Sequence, residues 1–183
     1  EEAEIYGDRV LKVLTEAKEV LGKKYGIDIE GRTLVEFYPN QQDFAIRSFG
    51  SLGGQGLLGV CFGSVVTMNS PGSVTAGKNN WEATLWHEYC HVITLTKTNN
   101  KMPRWLSEGI SVYEEIQRQA NWGQRMTPRY RKMILEEDVA TPISQMSQAF
   151  FNAESGEHVM FAYYQSMLVV EHIIEDFGEE AVR

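Results

Sequence analysis

The chain has 183 residues, enough for one domain with a full-sized core or for two small lobes that share one. Hydrophobic residues make up 43% of it and only 5 residues are prolines, a composition typical of globular rather than disordered chains. No apolar run approaches the roughly 20 residues that span a bilayer. A formal net charge of -8 without a long basic cluster argues against a nucleic-acid partner.

The first third of the chain predicts a helix, a strand and a second helix. Residues 3–24 repeat apolar residues at helical spacing, and Gly26 is expected to end that helix. The segment TLVEFYP at 33–39 alternates and is rich in strand-forming residues. Residues 40–49 then predict a short helix with Asn40 as its N-cap. The face of the first helix that we expect to be buried comprises Val10, Leu11, Leu14, Ala17, Val20 and Leu21.

A glycine-rich stretch at 50–73 contains two short apolar runs. We interpret them as strands at about 57–62 and 65–69, joined by a tight turn at Gly63 and Ser64. A phosphate-binding loop is excluded, because no Gly-Lys-Ser/Thr follows the glycines and no helix begins directly after them.

The rest of the chain predicts helices alone. The first of them starts at Trp81, with Asn79 or Asn80 as its N-cap, and a looser segment lies at 140–156. The order of elements, helices and strands first and helices only afterwards, predicts an α+β fold. The predicted helices are 81 to about 96, 104–119, about 127–138 and 157–176.

The sequence HEYCH at 87–91 has the spacing of a metal site. On a helix, His87 and His91 lie one turn apart on the same face, so both imidazoles can bind one ion. Glu88 is displaced by about 100° round the helix axis, so it reaches a water molecule activated by the metal rather than the metal itself. A catalytic zinc site needs a third protein ligand and an open position for water.

Two routes to a third ligand can be weighed from the sequence. Zinc proteases that carry a glycine three residues and a histidine six residues past the second histidine are excluded, because Thr94 and Lys97 occupy those positions. If the two adjacent helices run antiparallel about a connection near residues 99–100, the residue opposite His91 is Glu108, to within about one turn. The alternative ligands that remain open at this point are His158 and His172.

HEYCH, followed by PRWLSEGISVYEE at 103–115, resembles the gluzincin metallopeptidases, the superfamily of thermolysin and aminopeptidase N. It is most similar to the bacterial peptidase MA-like domains, which carry a W-L-x-E-G stretch after the histidine motif. The resemblance covers roughly residues 57–176 and is best at 81–115. It implies a catalytic Zn²⁺ with Glu108 as third ligand. The fold it implies is a thermolysin-like catalytic domain, with a small twisted sheet, flanking helices and a helical C-terminal lobe.

The resemblance also implies a domain organisation. We expect residues 1–183 to form a single metallopeptidase-like catalytic domain, excised from a longer protein with flanking domains. Within it, residues 1–98 would be an α/β lobe that carries the metal helix, and residues 99–183 a helical lobe. Gly109 is expected to let its helix approach the metal helix closely.

Glu115 is a candidate partner for a metal-binding histidine. It lies seven residues beyond Glu108 and hence on the same helix face, and its side chain leans back toward the level of His87. Ligand histidines usually donate their second N–H to a carboxylate or a carbonyl, and the similar aminopeptidases have a carboxylate at this offset. We expect Glu114 to lie at the surface.

The resemblance extends to an oxyanion donor and a substrate strand. Residues 161–178 resemble the family's later helix, which implies Tyr163 as the catalytic tyrosine, with Tyr164 as the alternative and His158 as a more distant one. SVVTMNSP at 64–71 is located where similar enzymes have the edge strand that binds substrate backbone. The Gly-Ala-Met-Glu-Asn signature of aminopeptidases is absent from the sequence.

The leading prediction is zinc-dependent hydrolysis of peptide bonds by a metal-activated water, with Glu88 as general base and a peptide or protein as substrate. The alternative is a non-catalytic zinc-binding module for peptide recognition or scaffolding with a gluzincin fold. A nuclease or DNA-linked protease is disfavoured, because the chain is acidic and has no basic stripe.

Overall fold

The computed structural model of the chain describes residues 2–50, 57–73 and 80–183. Helices dominate, and three strands form one sheet, which confirms the predicted α+β class. The chain divides into two compact units, Glu1–Asn100 and Lys101–Arg183. The helices of the first unit are α1 (Glu2–Tyr25), α2 (Gln41–Phe49) and α3 (Trp81–Lys97), and its strands are β1 (Leu34–Tyr38), β2 (Gly59–Phe62) and β3 (Val65–Asn69). The helices of the second unit are α4 (Arg104–Arg118), α5 (Pro128–Leu135), α6 (Met146–Ala149) and α7 (Gly156–Phe177).

Helix α1 packs on α3 through a narrower apolar stripe than the sequence predicts. Leu11 and Val20 are wrongly placed in the predicted buried face, since 64% and 44% of their surfaces are exposed. The stripe that packs follows the spacing of three to four residues strictly, so the two misplaced residues fall beside it. The buried hydrophobic residues of α1 are Val10, Val13, Ala17, Leu21 and Tyr25.

The sheet of the first unit has the strand order β1-β3-β2. β1 pairs with β3 in parallel, from Leu34 opposite Val65 onward. β2 pairs with β3 in antiparallel fashion, and the tight turn between them uses Gly63 at a φ of 63°, as predicted. Val66 and Met68, which alternate on one face of β3, are buried in the core.

The prediction that 64–71 contains an edge strand is wrong. β3 is the central strand, because its backbone is hydrogen-bonded to β1 on one side and to β2 on the other. A strand with both edges occupied has no backbone groups left to pair with a peptide. Within the described residues, the strands at the edges of the sheet are β1 and β2.

In the second unit the main packing is between α4 and α7. A Cβ atom at Gly109 would lie 2.5 Å from the Ser166 carbonyl oxygen, so the glycine permits close approach to α7. The expectation that Gly109 lets α4 approach the metal helix stays a prediction. The predicted helix at 127–138 ends earlier, at Leu135, because the polar residues that follow it offer no apolar face and Asp138 adopts a φ of 51°.

The predicted boundaries of the other long helices agree with the structure to within two residues. The segment at 140–156 contains only the short helix α6 and a 3-10 turn at Ile143–Gln145. Among the residues that the structure describes, no helix has the length and apolar character needed to cross a membrane.

Candidate metal centre

Helix α3 carries the histidine motif at buried positions. Asn80 caps the helix, because its side-chain oxygen accepts a hydrogen bond of 3.3 Å from the backbone N–H of Ala83. From Leu85 to Thr94 every side chain of α3 is buried, so the polar groups of the motif lie in the core rather than on a solvated face. Such burial requires polar partners or a bound ion.

His87 and His91 form a matched pair of imidazoles. Their ring centroids are 4.8 Å apart and the rings are inclined by 81°. Each histidine is only 8% exposed. The helical repeat that places them one turn apart therefore brings both rings to the same buried location.

Glu88 lies between α3 and strand β2. The side chain is 6% exposed. A Cβ atom built on Gly59 would lie 2.8 Å from Cγ of Glu88 and 2.9 Å from its Oε1. The carboxylate therefore lies directly against the backbone of β2, at a position where only glycine leaves room for it.

Glu108 lies in the second turn of α4 and is 7% exposed. Its Oε1 is 3.4 Å from Nε of Arg104, one turn earlier in the same helix. A buried carboxylate is costly unless it is paired or bound to a metal, and this one has a cation beside it.

His87, His91 and Glu108 form a group that can hold a metal ion. One donor atom from each residue lies within 4.8 Å of the others, and all three residues are buried. Donors of a tetrahedral zinc ion at bond lengths of about 2.0–2.2 Å lie about 3.4 Å apart, so small side-chain movements suffice to close the set. Two imidazoles and one carboxylate fit zinc and leave a position for water.

The two histidines left as alternative ligands have other surroundings. His172 is 70% exposed by its side chain, and its Nε2 is 3.6 Å from an oxygen of Asp176. The backbone N–H of His158 bonds to Ser155 at the start of α7. Neither histidine joins a potential metal-binding group in the described parts of the chain.

The two candidate tyrosines on α7 differ in burial. Tyr164 is 3% exposed and stacks on Tyr130, with ring centroids 5.0 Å apart. Burial raises the pKa of Tyr164, so it keeps its proton in the core of the second unit. Tyr163 is half-buried and meets the ring of Phe150 edge-on at 5.1 Å. Of the two phenols, that of Tyr163 has the access to solvent that a substrate-facing group needs.

Glu114 and Glu115, two adjacent carboxylates on α4, differ in burial, and the burial of Glu114 contradicts the prediction. Glu114 is not at the surface but only 3% exposed, whereas Glu115 is half-buried. The reason is that α4 is buried on every side from Ser107 to Glu114, so its burial does not follow a single stripe. The role of Glu115 as a partner of a ligand histidine stays a prediction.

Sequence reasoning missed two residues beside the motif. Gly59 belongs to a glycine-rich run, in which no local signal separates it from its neighbours. Arg104 stands four residues before Glu108, a spacing that predicts contact on a helix once both residues are assigned to one helix.

Comparison of the chain with protein-family models, with curated proteins and with solved structures finds no match. The resemblance to gluzincins therefore rests on the motifs HEYCH and PRWLSEGISVYEE themselves. The structure adds the buried group of His87, His91 and Glu108.

Proposed function

We propose that the chain is a zinc-dependent peptidase of the gluzincin type, which hydrolyses peptide bonds with Glu88 as general base. The observation that carries the proposal is the buried group of His87, His91 and Glu108, whose donor atoms lie within 4.8 Å of one another. Glu88, equally buried, follows His87 on the same helix. Burying these ionisable groups is costly unless they bind an ion or act in catalysis, and this supports the proposal.

His87, His91 and Glu108 would hold the ion. Bound zinc lowers the pKa of water toward 7 and polarises a carbonyl group. The three side chains supply two neutral donors and one negative charge, so a dication keeps a net positive charge toward the substrate. Their burial keeps bulk water away and so strengthens every charge interaction at the centre.

Glu88 moves the proton in this proposal. Its carboxylate accepts a proton from the attacking water and then donates it to the nitrogen of the leaving amine. Thus one water is consumed, the C–N bond breaks, and a carboxylic acid and an amine are formed. Gly59 leaves the carboxylate room at the side of β2, so the base is held between a helix and a strand rather than on a loop.

Two further groups complete the proposal. Tyr163 donates a hydrogen bond to the developing oxyanion, a role that its partial exposure allows. Glu115 accepts a hydrogen bond from a ligand histidine and fixes its ring orientation.

The substrate backbone adds to the sheet at β2, because β2 is an edge strand within the described residues and lies against Glu88.

The test compares wild type with Glu88→Gln. We expect the variant to keep one equivalent of zinc and to lose at least about a hundredfold in turnover of a broad peptide library, because a general base contributes about 10²–10⁴-fold. Glu175→Gln, the same change at an exposed site on α7, should behave as wild type. Retained cleavage in Glu88→Gln would overturn the mechanism. Stoichiometric zinc in a wild type that cleaves nothing would favour the scaffold alternative.

A further inference from the structure

Arg104 makes three separate contacts, one with the Glu108 carboxylate and two with aromatic rings. Its Nε is 3.4 Å from Oε1 of Glu108. The centre of its guanidinium lies 5.2 Å from the ring centroid of Phe150 and 4.8 Å from that of Phe151. Both ring distances are within the range of cation–π attraction. Arg104 therefore contacts two aromatic rings as well as an acidic side chain.

The stability of α4 does not explain an arginine at this position. Arg104 is the first residue of the helix, where the positive end of the helix dipole disfavours a cation. Its partner lies four residues toward the C-terminus, which is the less favourable order for an ion pair on a helix. Both local effects oppose the arrangement, so what favours it is the contacts of the guanidinium with Glu108, Phe150 and Phe151.

The rings that hold Arg104 are themselves tied to the start of α4. They follow directly on α6, and the Ser147 side-chain oxygen of α6 accepts a hydrogen bond of 3.4 Å from the backbone N–H of Trp105. Phe150 is braced in turn by the edge-on ring of Tyr163. Phe151, by contrast, is 71% exposed, and its ring contacts the guanidinium of Arg104.

Nε of Arg104 is buried and makes no hydrogen bond with good geometry among the described residues. Its contact with Glu108 is thus an attraction between charges rather than a hydrogen bond, and it favours one orientation of the carboxylate.

We propose that Arg104 is a positioning residue for the metal ligand Glu108, clamped by Phe150 and Phe151, and that metal affinity depends on it. The inference rests on the metal site of the proposed function but not on peptide hydrolysis. Groups that orient metal ligands typically change metal affinity by 10–100-fold when they are lost. The positive charge of Arg104 acts in the opposite direction, since it repels a cation. Loss of orientation would weaken zinc binding, whereas loss of the charge would strengthen it. We expect the effect of orientation to be the larger.

The experiment measures the zinc dissociation constant by competition with a chromophoric chelator. In Arg104→Gln we expect binding about tenfold weaker, by loss of orientation. Arg104→Lys keeps the charge but lacks the planar guanidinium, so its zinc dissociation constant should lie between those of Arg104→Gln and wild type. In Phe151→Leu, at an exposed site, we expect a weakening of about two- to fivefold, the equivalent of one cation–π contact.

A second readout separates positioning from a general loss of structure. With Co²⁺ as the probe, Arg104→Gln should shift the visible absorption bands of the bound ion, because the geometry of the Glu108 ligand changes. Arg118→Gln is the matched control: the same charge is removed from the same helix, where Arg118 lies 6.0 Å over the ring of Trp122. Its zinc affinity and cobalt spectrum should equal those of wild type.

The outcomes separate this inference from the metal site itself. Unchanged or tighter zinc binding in Arg104→Gln, while His91→Ala loses zinc, would overturn the positioning role and leave the metal centre standing. A wild type that binds no zinc would overturn both. Equal weakening in Arg104→Gln and Arg118→Gln would show a general effect of altering α4 rather than a specific effect on Glu108, and would likewise overturn the positioning role.

Discussion

The position of the Glu88 side chain depends on the absence of a side chain at Gly59. Cγ and Oε1 of Glu88 occupy the space that a side chain at position 59 would fill. The obstructing atoms belong to the side chains of Glu88 and, at 3.0 Å, Thr84, and not to the backbone. The fold can therefore accept a methyl group at position 59, but only if the carboxylate moves.

We predict that Gly59→Ala lowers turnover by up to about a hundredfold, because a misplacement of about 1 Å in a reacting group can cost that much. Zinc affinity should stay within twofold of wild type, since the ligands are other residues. Steady-state kinetics and chelator competition on the same preparation measure both. Gly7→Ala, where nothing lies within 4 Å, is the control and should retain full turnover. Full activity in Gly59→Ala would show that Glu88 does not depend on this glycine.

At the scale of elements, the pair α4 and α7 forms the centre of the second unit. Gly109 of α4 faces the backbone of α7 at Ser166 and the side chain of Val170. Unlike the neighbour of Gly59, a helix backbone cannot rotate out of the way. The proposed metal ligand Glu108 precedes this glycine, so the packing of the two helices also affects where that side chain lies.

Gly109→Ala should destabilise the protein by about 2 kcal/mol. Overpacking typically costs about 1–3 kcal/mol, and the better helix propensity of alanine offsets at most about 1 kcal/mol of that. Urea unfolding followed by circular dichroism gives the free energy of unfolding. Gly156→Ala, at the start of α7 with no atom within 4 Å, should be neutral or slightly stabilising. Equal stabilities of the two variants would contradict the close packing described.

At the scale of the whole molecule, metal binding and folding are linked. The three proposed ligands are contributed by two different helices, so an unfolded chain does not present them together. An ion that binds only the folded state adds to the free energy of unfolding in proportion to the logarithm of its concentration.

We predict that zinc at about 100 times its dissociation constant raises the free energy of unfolding by about 2.7 kcal/mol and Tm by about 5–10 °C relative to the protein in chelator. Scanning calorimetry measures the shift. His172→Ala, which removes an exposed histidine, should keep the full shift, and His91→Ala should lose it. A shift of equal size in His91→Ala would place the zinc elsewhere.

The elements that could be predicted from sequence are those with local causes. The long helices have apolar repeats and caps within their own residues, for example Asn40 before α2 and Asn80 before α3. The hairpin turn at Gly63 is equally local. The errors concern residues whose environment is set by distant segments: Leu11 and Val20 on α1, and Glu114 on α4. Their burial depends on which helix packs where, a property that periodicity alone does not contain.

By itself, the sequence determined the helix that carries His87, Glu88 and His91, because the helical repeat fixes the relation of these three residues. It also pointed to Glu108, through a count along two neighbouring helices. Only the tertiary structure decided the central position of β3, the place of Gly59 against Glu88 and the enclosure of Arg104 by Phe150 and Phe151. The physical reason is that spacing along a helix is set by backbone hydrogen bonds within it, whereas strand order and ring contacts arise from the packing of segments far apart in the chain.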